Sequence, residues 1–350
     1  MKTEKNPDSG KRKTLIIILC LLLALIITTI GACFVTAKYY LNKINRVDPN
    51  ESTIPPEHED FETDEPPYND SEQETTSGQI TEPAPDTSAP DSDTAKPDEL
   101  IPIGDEKLLN ILLVGQDRRE GQGRQRSDSM ILCSINLKTY EASLISFMRD
   151  LYVPIPGGYS SNRLNAAYAF GGFPLLDNTL YQNFGVTIDG NFEVDFNGFK
   201  SVINTFGGVE ITLSDEEAKY LFGIPGGTYL LSGEEALTYS RLRDIGDDFE
   251  RTARQRKVIV SLFEKIRTMS ATNITKLLDT VLPMLTTDMS DGEIVSIAAK
   301  LIPVIPKIKL SQYRVPSGNT YIGTYINRMA VLLPDLPAIR EQMLEYLPLD

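Results

Sequence analysis

The sequence predicts an α/β domain of α+β character over residues 100–350, with a mixed central β-sheet and helices on both faces as an α-β-α sandwich. Three observations carry this. Beyond Leu100, short apolar runs alternate with segments of helical period. Two of the runs are joined only by Lys138-Thr139-Tyr140, which makes them an antiparallel hairpin. Helix ends are marked by glycines and by one capping box, Ser232-Gly233-Glu234-Glu235.

Ahead of this domain the chain is segregated by charge. Residues 1–13 are a basic tail with Lys2, Lys5, Lys11, Arg12 and Lys13, expected in the cytoplasm. Thr14–Ala37 is an uncharged run of 24 residues. At ~1.5 Å per residue a helix of that length spans roughly 36 Å, enough to cross a bilayer with some tilt. The expectation is one transmembrane helix over 14–37, with a single-pass cell-membrane location and everything after Lys38 outside. A cleaved signal peptide is the rival reading, although its apolar core is only ~7–15 residues. Ile30-Gly31-Ala32-Cys33 also looks like a lipoprotein cleavage box, but Phe34 and Val35 continue the apolar run.

Residues 38–99 are expected to be an extracytoplasmic acidic linker. Within them, 48–99 carry seventeen acids against one base, Lys96, and few aliphatics. Such a composition cannot bury enough surface to repay ordering, and as a neutral coil it would reach ~40 Å. This stretch accounts for the chain's net charge of -15; residues 100–350 carry about -5. The acidity therefore says little about a ligand, while a negative domain outside the membrane argues against nucleic acid as a partner.

Within the domain, residues 108–117, 129–137 and 142–150 read as strands, 163–172 and 174–185 as helices each stopped by glycine, and 192–196 as a short strand. Residues 199–213 read as helix, glycine turn and strand. A helix opens at Ser232, and a longer one runs from Asp247 or Asp248 to about Arg267. Helices near 273–282, 291–302 and 334–347 and a strand at 307–315 complete the set. Cys133 sits in an apolar strand and reads as a small core residue. The only histidine, His58, lies in the linker. Its absence from the domain excludes Ser-His-Asp and Cys-His catalysis and His-ligated metals there.

The strand ends hold the chemistry: Asp117 and Arg118 after the first strand, Arg126 and Asp128 before the second, Arg149 and Asp150 after the third. Hairpin geometry makes Asp128 and Arg149 neighbours, and Asp117 joins them if the first strand runs parallel to the third. The stretch RLRDIGDDFERTARQR, 241–256, adds five arginines. Arg251 and Gln255 share a helix face with Arg254 beside them, and Arg251 lies in the first turn, where an anion is favoured. Arg241 and Arg243 project to one side if that segment is extended. Arginine's fork suits phosphate. Two carboxylates with clustered arginines suit Mg²⁺ bridging a diphosphate; the competing reading is a solvated helix with weak surface ion pairs. A lipid slot could be lined by Ala166–Phe170, Phe199–Phe206 and Val258–Phe263.

The motifs GQD at 115–117, RSDSMIL at 126–132, FMRDLYV at 147–153, RLNAAYAFGG at 163–172, VDFNGF at 194–199, FGGVEI at 206–211, LSGEEALTYSRLR at 231–243 and DDFERTARQR at 247–256 resemble the LytR-CpsA-Psr cell-envelope phosphotransferases, in family order. The resemblance implies transfer of a phospho-glycopolymer, teichoic acid, capsule or a related anionic polysaccharide, from a polyprenyl diphosphate carrier to peptidoglycan at a Gram-positive surface. A phosphodiester forms and polyprenyl phosphate leaves. It implies Asp117 and Asp128 as Mg²⁺ ligands, Arg149, Arg241, Arg243 and Arg251 as diphosphate-binding, Gln255 as a further contact, Asp248 as the acidic position, and Arg126 and Asn165 as motif positions. Polyprenyl diphosphate hydrolysis and non-catalytic carrier-lipid binding in an envelope regulator are the alternatives.

Overall fold

The computed structural model describes residues 35–47, 107–116, 124–269 and 277–349. Asp117, His58, Cys20, Cys33, residues 1–34 of the tail and apolar run, and residues 48–99 of the acidic stretch lie outside the described residues.

The chain enters through helical residues 35–41 and strand β1 (Asn45–Arg46), then β2 (Leu108–Gln116), β3 (Ser127–Asn136) and β4 (Glu141–Phe147). Two short strands follow, β5 (Tyr152–Val153) and β6 (Asn162–Arg163), then α1 (Leu164–Phe184), β7 (Gly190–Asp195) and α2 (Phe196–Thr205). Next come β8 (Val209–Leu213), α3 (Asp215–Phe222), β9 (Gly227–Leu231), α4 (Gly233–Arg241) and α5 (Asp248–Arg267). The chain closes with β10 (Leu285–Thr287), α6 (Asp291–Leu301), β11 (Lys309–Val315), β12 (Tyr321–Ile326), β13 (Met329–Pro334) and α7 (Leu336–Tyr346).

The main sheet has the order β1-β10-β7-β2-β3-β4-β11. It is mixed: β2/β3 and β3/β4 are antiparallel, whereas β2/β7 and β4/β11 are parallel. β2 and β4 therefore run the same way, and the end of β2, the start of β3 and the end of β4 share one rim, as the hairpin argument requires.

β2 and β3 read as unbroken apolar runs because both faces are covered. Leu112, Val114, Met130 and Leu132 face one way, into the core with Leu164, Phe170 and Leu180 of α1 and Ile339 and Met343 of α7. The alternate residues, Leu113, Gly115, Ser129 and Ile131, line a cavity on the other face. Beyond it a second cluster, Ile203, Val209, Ile211, Ala236, Tyr239 and Val258, knits α2, β8, α4 and α5 together.

Several expectations need correction. The two glycine-stopped helices are not among these: both are present as the two helical segments of α1, divided at Gly172, whose φ of 65° and ψ of -154° are non-helical and suit glycine. Gly185 stops it in the left-handed conformation as foreseen. The hairpin β8/β9, helix α3 and hairpin β12/β13 were not foreseen. Residues 38–47 belong to the packed body rather than to a linker: β1 pairs in parallel with β10. The capping boxes are present, including Ser232 with Glu235. At Gly233 an added Cβ would fall 2.2 Å from the Lys200 carbonyl oxygen, so the glycine permits α4 to start against α2.

At the far side of the sheet Asn191 donates to Asp177 (2.8 Å) and to Asp288 (3.0 Å). Burial pushes Asp177 up to about 7 against the hydrogen bond from Asn191, and Asp288 adds to the rise. A carboxyl raised above its unfolded value favours the folded state while protonated, so this contribution is present at low pH and is lost as pH rises towards about 7. We expect Asp177→Asn to lessen the fall in melting temperature between roughly pH 5 and pH 8, read by calorimetry.

Candidate active site

Asp128 opens β3, Arg149 follows β4, and Asp248 and Arg251 occupy the first turn of α5. These elements bring their charges together. Arg149 Nη1 donates to Asp128 Oδ1 at 3.2 Å, its Nη2 lies 3.4 Å from Asp248 Oδ2, and its Nε lies 3.5 Å from Asp150 Oδ2. Arg251 Nη1 lies 3.3 Å from Asp248 Oδ1. Burial opposes the charge on Arg149, but Asp150, Asp248 and Asp128 outweigh it and hold the guanidinium pKa above its ordinary value. Arg251 differs. Burial, and then the repulsion of Arg149, lower its pKa, with only partial relief from Asp248. It is 3% exposed, and its Nε and Nη2 have no hydrogen-bond partner. A desolvated cation with two unused donors is costly unless an anion completes it.

Asp128 and Arg251 of this cluster line one end of a cavity of about 410 Å³. Along α5 the lining positions are Arg251, Gln255, Ile259 and Leu262, one face of the helix passing from charge to aliphatic. From Arg251 to Leu262 that face covers ~16 Å at ~1.5 Å per residue. Opposite it stand Phe196, Phe199 and Val202 of α2, and Val281 and Leu285 are further apolar residues of the lining. Asp128, Arg241 and Arg243 complete the polar end. Arg241 stacks on Phe196 at 4.3 Å, leaving its fork in a preset plane. Gln255 Oε1 is buried without a hydrogen-bond partner. The arrangement is amphipathic: an anion-receiving end continuous with an aliphatic slot.

The residues expected at the site divide three ways. Asp128, Arg241, Arg243, Arg251 and Gln255 line the cavity, and Arg149 and Asp248 are joined to them by the ion pairs above. Arg241 does so as the last residue of α4, where a cation suits the helix C-terminus, and not from an extended segment. Arg126 and Asn165 are not lining residues. Arg126 lies 6.0 Å from the Phe170 ring, and Asn165 is buried with its backbone N–H on the Arg149 carbonyl at 3.3 Å, so it helps to position that loop. Asp117 directly follows Gln116, which pairs with Ser127 beside Asp128, but it lies outside the described residues. Arg254 is a correction: it points into the protein, with Nε on Glu217 Oε1 at 2.8 Å and its fork on the carbonyls of Leu242 and Ile245 at 2.9 and 2.7 Å. Glu250 faces solvent beside it. Ala166–Phe170 is also a correction, since it packs in the opposite core layer and lines no slot; Phe199 and Val202, and Ile259 and Leu262, do line it.

Sequence reasoning named Asp150 without its role, which is to bridge Arg149 to buried Arg163 at 3.5 Å on each side, and missed Phe196 as the platform for Arg241. Asp150 was visible as a strand-end acid, but nothing in the sequence paired it with Arg163. We expect Arg149→Lys to lower turnover by at least ~10-fold, because one ammonium cannot keep three carboxylates and an anion in register; steady-state kinetics beside a thermal melt checks this.

The fold and site together define an α/β protein whose cavity joins clustered arginines to an aliphatic wall. The comparisons agree. The LytR_cpsA_psr family model matches residues 72–343, and the chain belongs to that family. It is 34% identical over 252 residues, 69% of this chain and 81% of the relative, to the Enterococcus faecalis protein named polyisoprenyl-teichoic acid–peptidoglycan teichoic acid transferase TagU. A Bacillus cereus protein of the same name is 36% identical over 181 residues, 51% of this chain and 59% of that one. A solved structure described as TagT bound to LIIa-WTA superposes with a TM-score of 0.57 at 26% identity, covering 70% of this chain and 92% of that chain.

Proposed function

We propose that the protein transfers a phospho-glycopolymer of the teichoic acid or capsular type from a polyprenyl diphosphate carrier to peptidoglycan, releasing polyprenyl phosphate. The observation that carries this is the continuity between the unsatisfied Arg251 fork and the aliphatic slot along α5. A polyprenyl diphosphate has the same two parts in the same order. The names of the E. faecalis and B. cereus relatives, which state a polyisoprenyl-linked donor and a peptidoglycan acceptor, support the reading.

In this account the prenyl chain lies against Phe199, Val202, Ile259 and Leu262. The diphosphate meets Arg251, Arg241 and Arg243, with Arg149 fixed behind by Asp128, Asp150 and Asp248. Phosphoryl transfer asks little of the protein beyond position and charge. The arginines gain most when charge moves to the oxygen of the departing phosphate, because their donors are already in place.

Asp128 offers hard oxygen to a divalent cation, and Asp117 is the partner the reading assigns. Among the described residues no cluster of three or more metal-ligating side chains exists. Mg²⁺ takes one or two carboxylates and fills its shell with phosphate oxygens and water. Bound there, Mg²⁺ would neutralise phosphate charge. The reading includes a single membrane span at 14–37, a cytoplasmic N-terminus and an outer catalytic domain at a Gram-positive envelope; the uncharged run and its basic flank support it.

The test is acceptor dependence. Full-length protein with polyprenyl diphosphate-linked glycan and Mg²⁺ should release polyprenyl phosphate only when peptidoglycan oligomer is added. Equal release without acceptor would favour the hydrolase, and tight donor binding without release the regulator.

A further inference from the structure

The segment that follows the apolar run does not lead away from the domain. Lys38 Nζ lies 3.0 Å from Asp291 Oδ2, and Arg46 Nη2 lies 2.6 Å from Oδ1 of the same carboxylate. Lys43 Nζ lies 2.6 Å from Asp279 Oδ1. Asn45 donates to the Pro283 carbonyl at 2.7 Å, and Val47 to the Thr287 carbonyl at 3.1 Å. Ile44 is buried. Five contacts of this kind, with β1 added to the sheet edge, make residues 38–47 a stem fixed to the body.

The acidic stretch therefore cannot set the height of the domain. It leaves the body at Val47 and returns at Lys107. Strand spacing puts those two points roughly 25 Å apart or less, a gap that about eight extended residues would bridge. Residues 48–106 thus join two points of one body and are not a spacer between the apolar run and the domain. What sets the height is the stem, and the stem begins where the apolar run ends, at Ala37.

Asp291 is the first residue of α6. That helix has no fully buried residue. Val295, Ala299 and Ile302, spaced i, i+4 and i+7, form an exposed apolar stripe; Val295 is 45% and Ile302 68% exposed. At ~1.5 Å per residue Ile302 lies within roughly 16 Å of Asp291 along the axis. On the stem itself Tyr39 is exposed, with the Lys43 ammonium 4.4 Å from its ring centroid, an aromatic and basic pair suited to a membrane–water boundary. Two apolar lining residues of the cavity, Val281 and Leu285, are in the same quarter, since they flank Pro283, which holds the stem.

We propose that α6 is a bilayer-contacting helix, clamped at the outer membrane surface by the Lys38–Asp291–Arg46 ion pairs, with Val295, Ala299 and Ile302 lying among the lipid headgroups and first acyl carbons. The occupant of the stripe is lipid because the stem ties α6 to the residue at which the chain leaves the apolar run. An amphipathic helix in that position buries its apolar face ~5–10 Å into the boundary. Val281 and Leu285 then turn apolar lining of the cavity toward the membrane from which a prenyl chain must come. The inference rests on the span at 14–37.

The chain contains no tryptophan, so single substitutions report cleanly. Full-length Ile302→Trp, Val295→Trp and, as a control, Tyr325→Trp would be reconstituted in phosphatidylcholine–phosphatidylglycerol vesicles with and without brominated acyl chains. Tyr325 is exposed on the β12/β13 hairpin, which packs beyond the end of β4. Brominated lipid should quench the residue-302 and residue-295 emission by about two-fold or more and leave the control unchanged. Adding Lys38→Glu and Arg46→Glu should abolish the quenching, and Asp291→Arg on top should restore it. Protein that stays in the vesicles after alkaline extraction yet shows no quenching at 302, or equal quenching at 302 and 325, overturns the proposal alone. Protein that alkaline extraction releases overturns the span and the proposal together.

Discussion

Arg251→Ala should lower turnover by about 10²–10³-fold, the usual cost of removing one preorganised donor at a developing oxyanion, while leaving the melting temperature nearly unchanged. The two halves of this expectation have one cause. Arg251 is buried, its charge is disfavoured by burial and by Arg149, and two of its donors are idle. In the resting fold it contributes little beyond one ion pair to Asp248, and removing a poorly compensated buried cation is often neutral or stabilising. Arg251→Met, which keeps the bulk, should hold or raise the melting temperature with the same loss of rate. A drop in stability as large as the drop in rate would show that the residue serves the fold.

Arg254→Ala should do the reverse, at a cost of ~3–5 kcal/mol in stability. Arg254 is 3% exposed, as Arg251 is, but every arm is used. It neutralises Glu217 and ties the Leu242 and Ile245 carbonyls of the loop between α4 and α5. Its loss removes the partner of Glu217 Oε1, leaving that carboxylate only the Ser214 N–H on Oε2, and takes a donor from two carbonyls. Calorimetry should show a melting temperature lower by roughly 6–20 °C for a domain of this size. Kinetics at low temperature should show a smaller change than Arg251→Ala, because Arg254 touches no part of the cavity. Acting together, the two variants separate the arginines that sequence reasoning had grouped.

That grouping shows what a sequence of this kind can and cannot carry. The rim of the sheet was legible because strand direction follows from turn length: a three-residue turn forces β3 and β4 to be antiparallel and makes Asp128 and Arg149 neighbours. The helix face of Arg251 and Gln255 was legible because a helix repeats every 3.6 residues. Arg254 was not, since one residue of rotation about the axis decides between cavity and core, and what fixes it is Glu217 on α3, an element that went unread. The slot was half legible. Phe199 and Ile259 fall on it, but Ala166–Phe170 is as apolar and packs behind the sheet instead. Composition does not tell which face a helix covers. The stem was missed for a different reason: β1 is two residues long and pairs with β10, some 240 positions away, and so short a strand has no periodicity to detect.

The most direct measurement is of the acceptor. Full-length protein in detergent or vesicles would be given polyprenyl diphosphate-linked glycan, a defined peptidoglycan oligomer and Mg²⁺, and the oligomer analysed by mass spectrometry beside an Asp128→Ala reaction. The account expects glycan joined to the oligomer through a phosphodiester, and none with Asp128→Ala. An unmodified oligomer, with donor bound by a folded protein and other glycan donors tried, would contradict it.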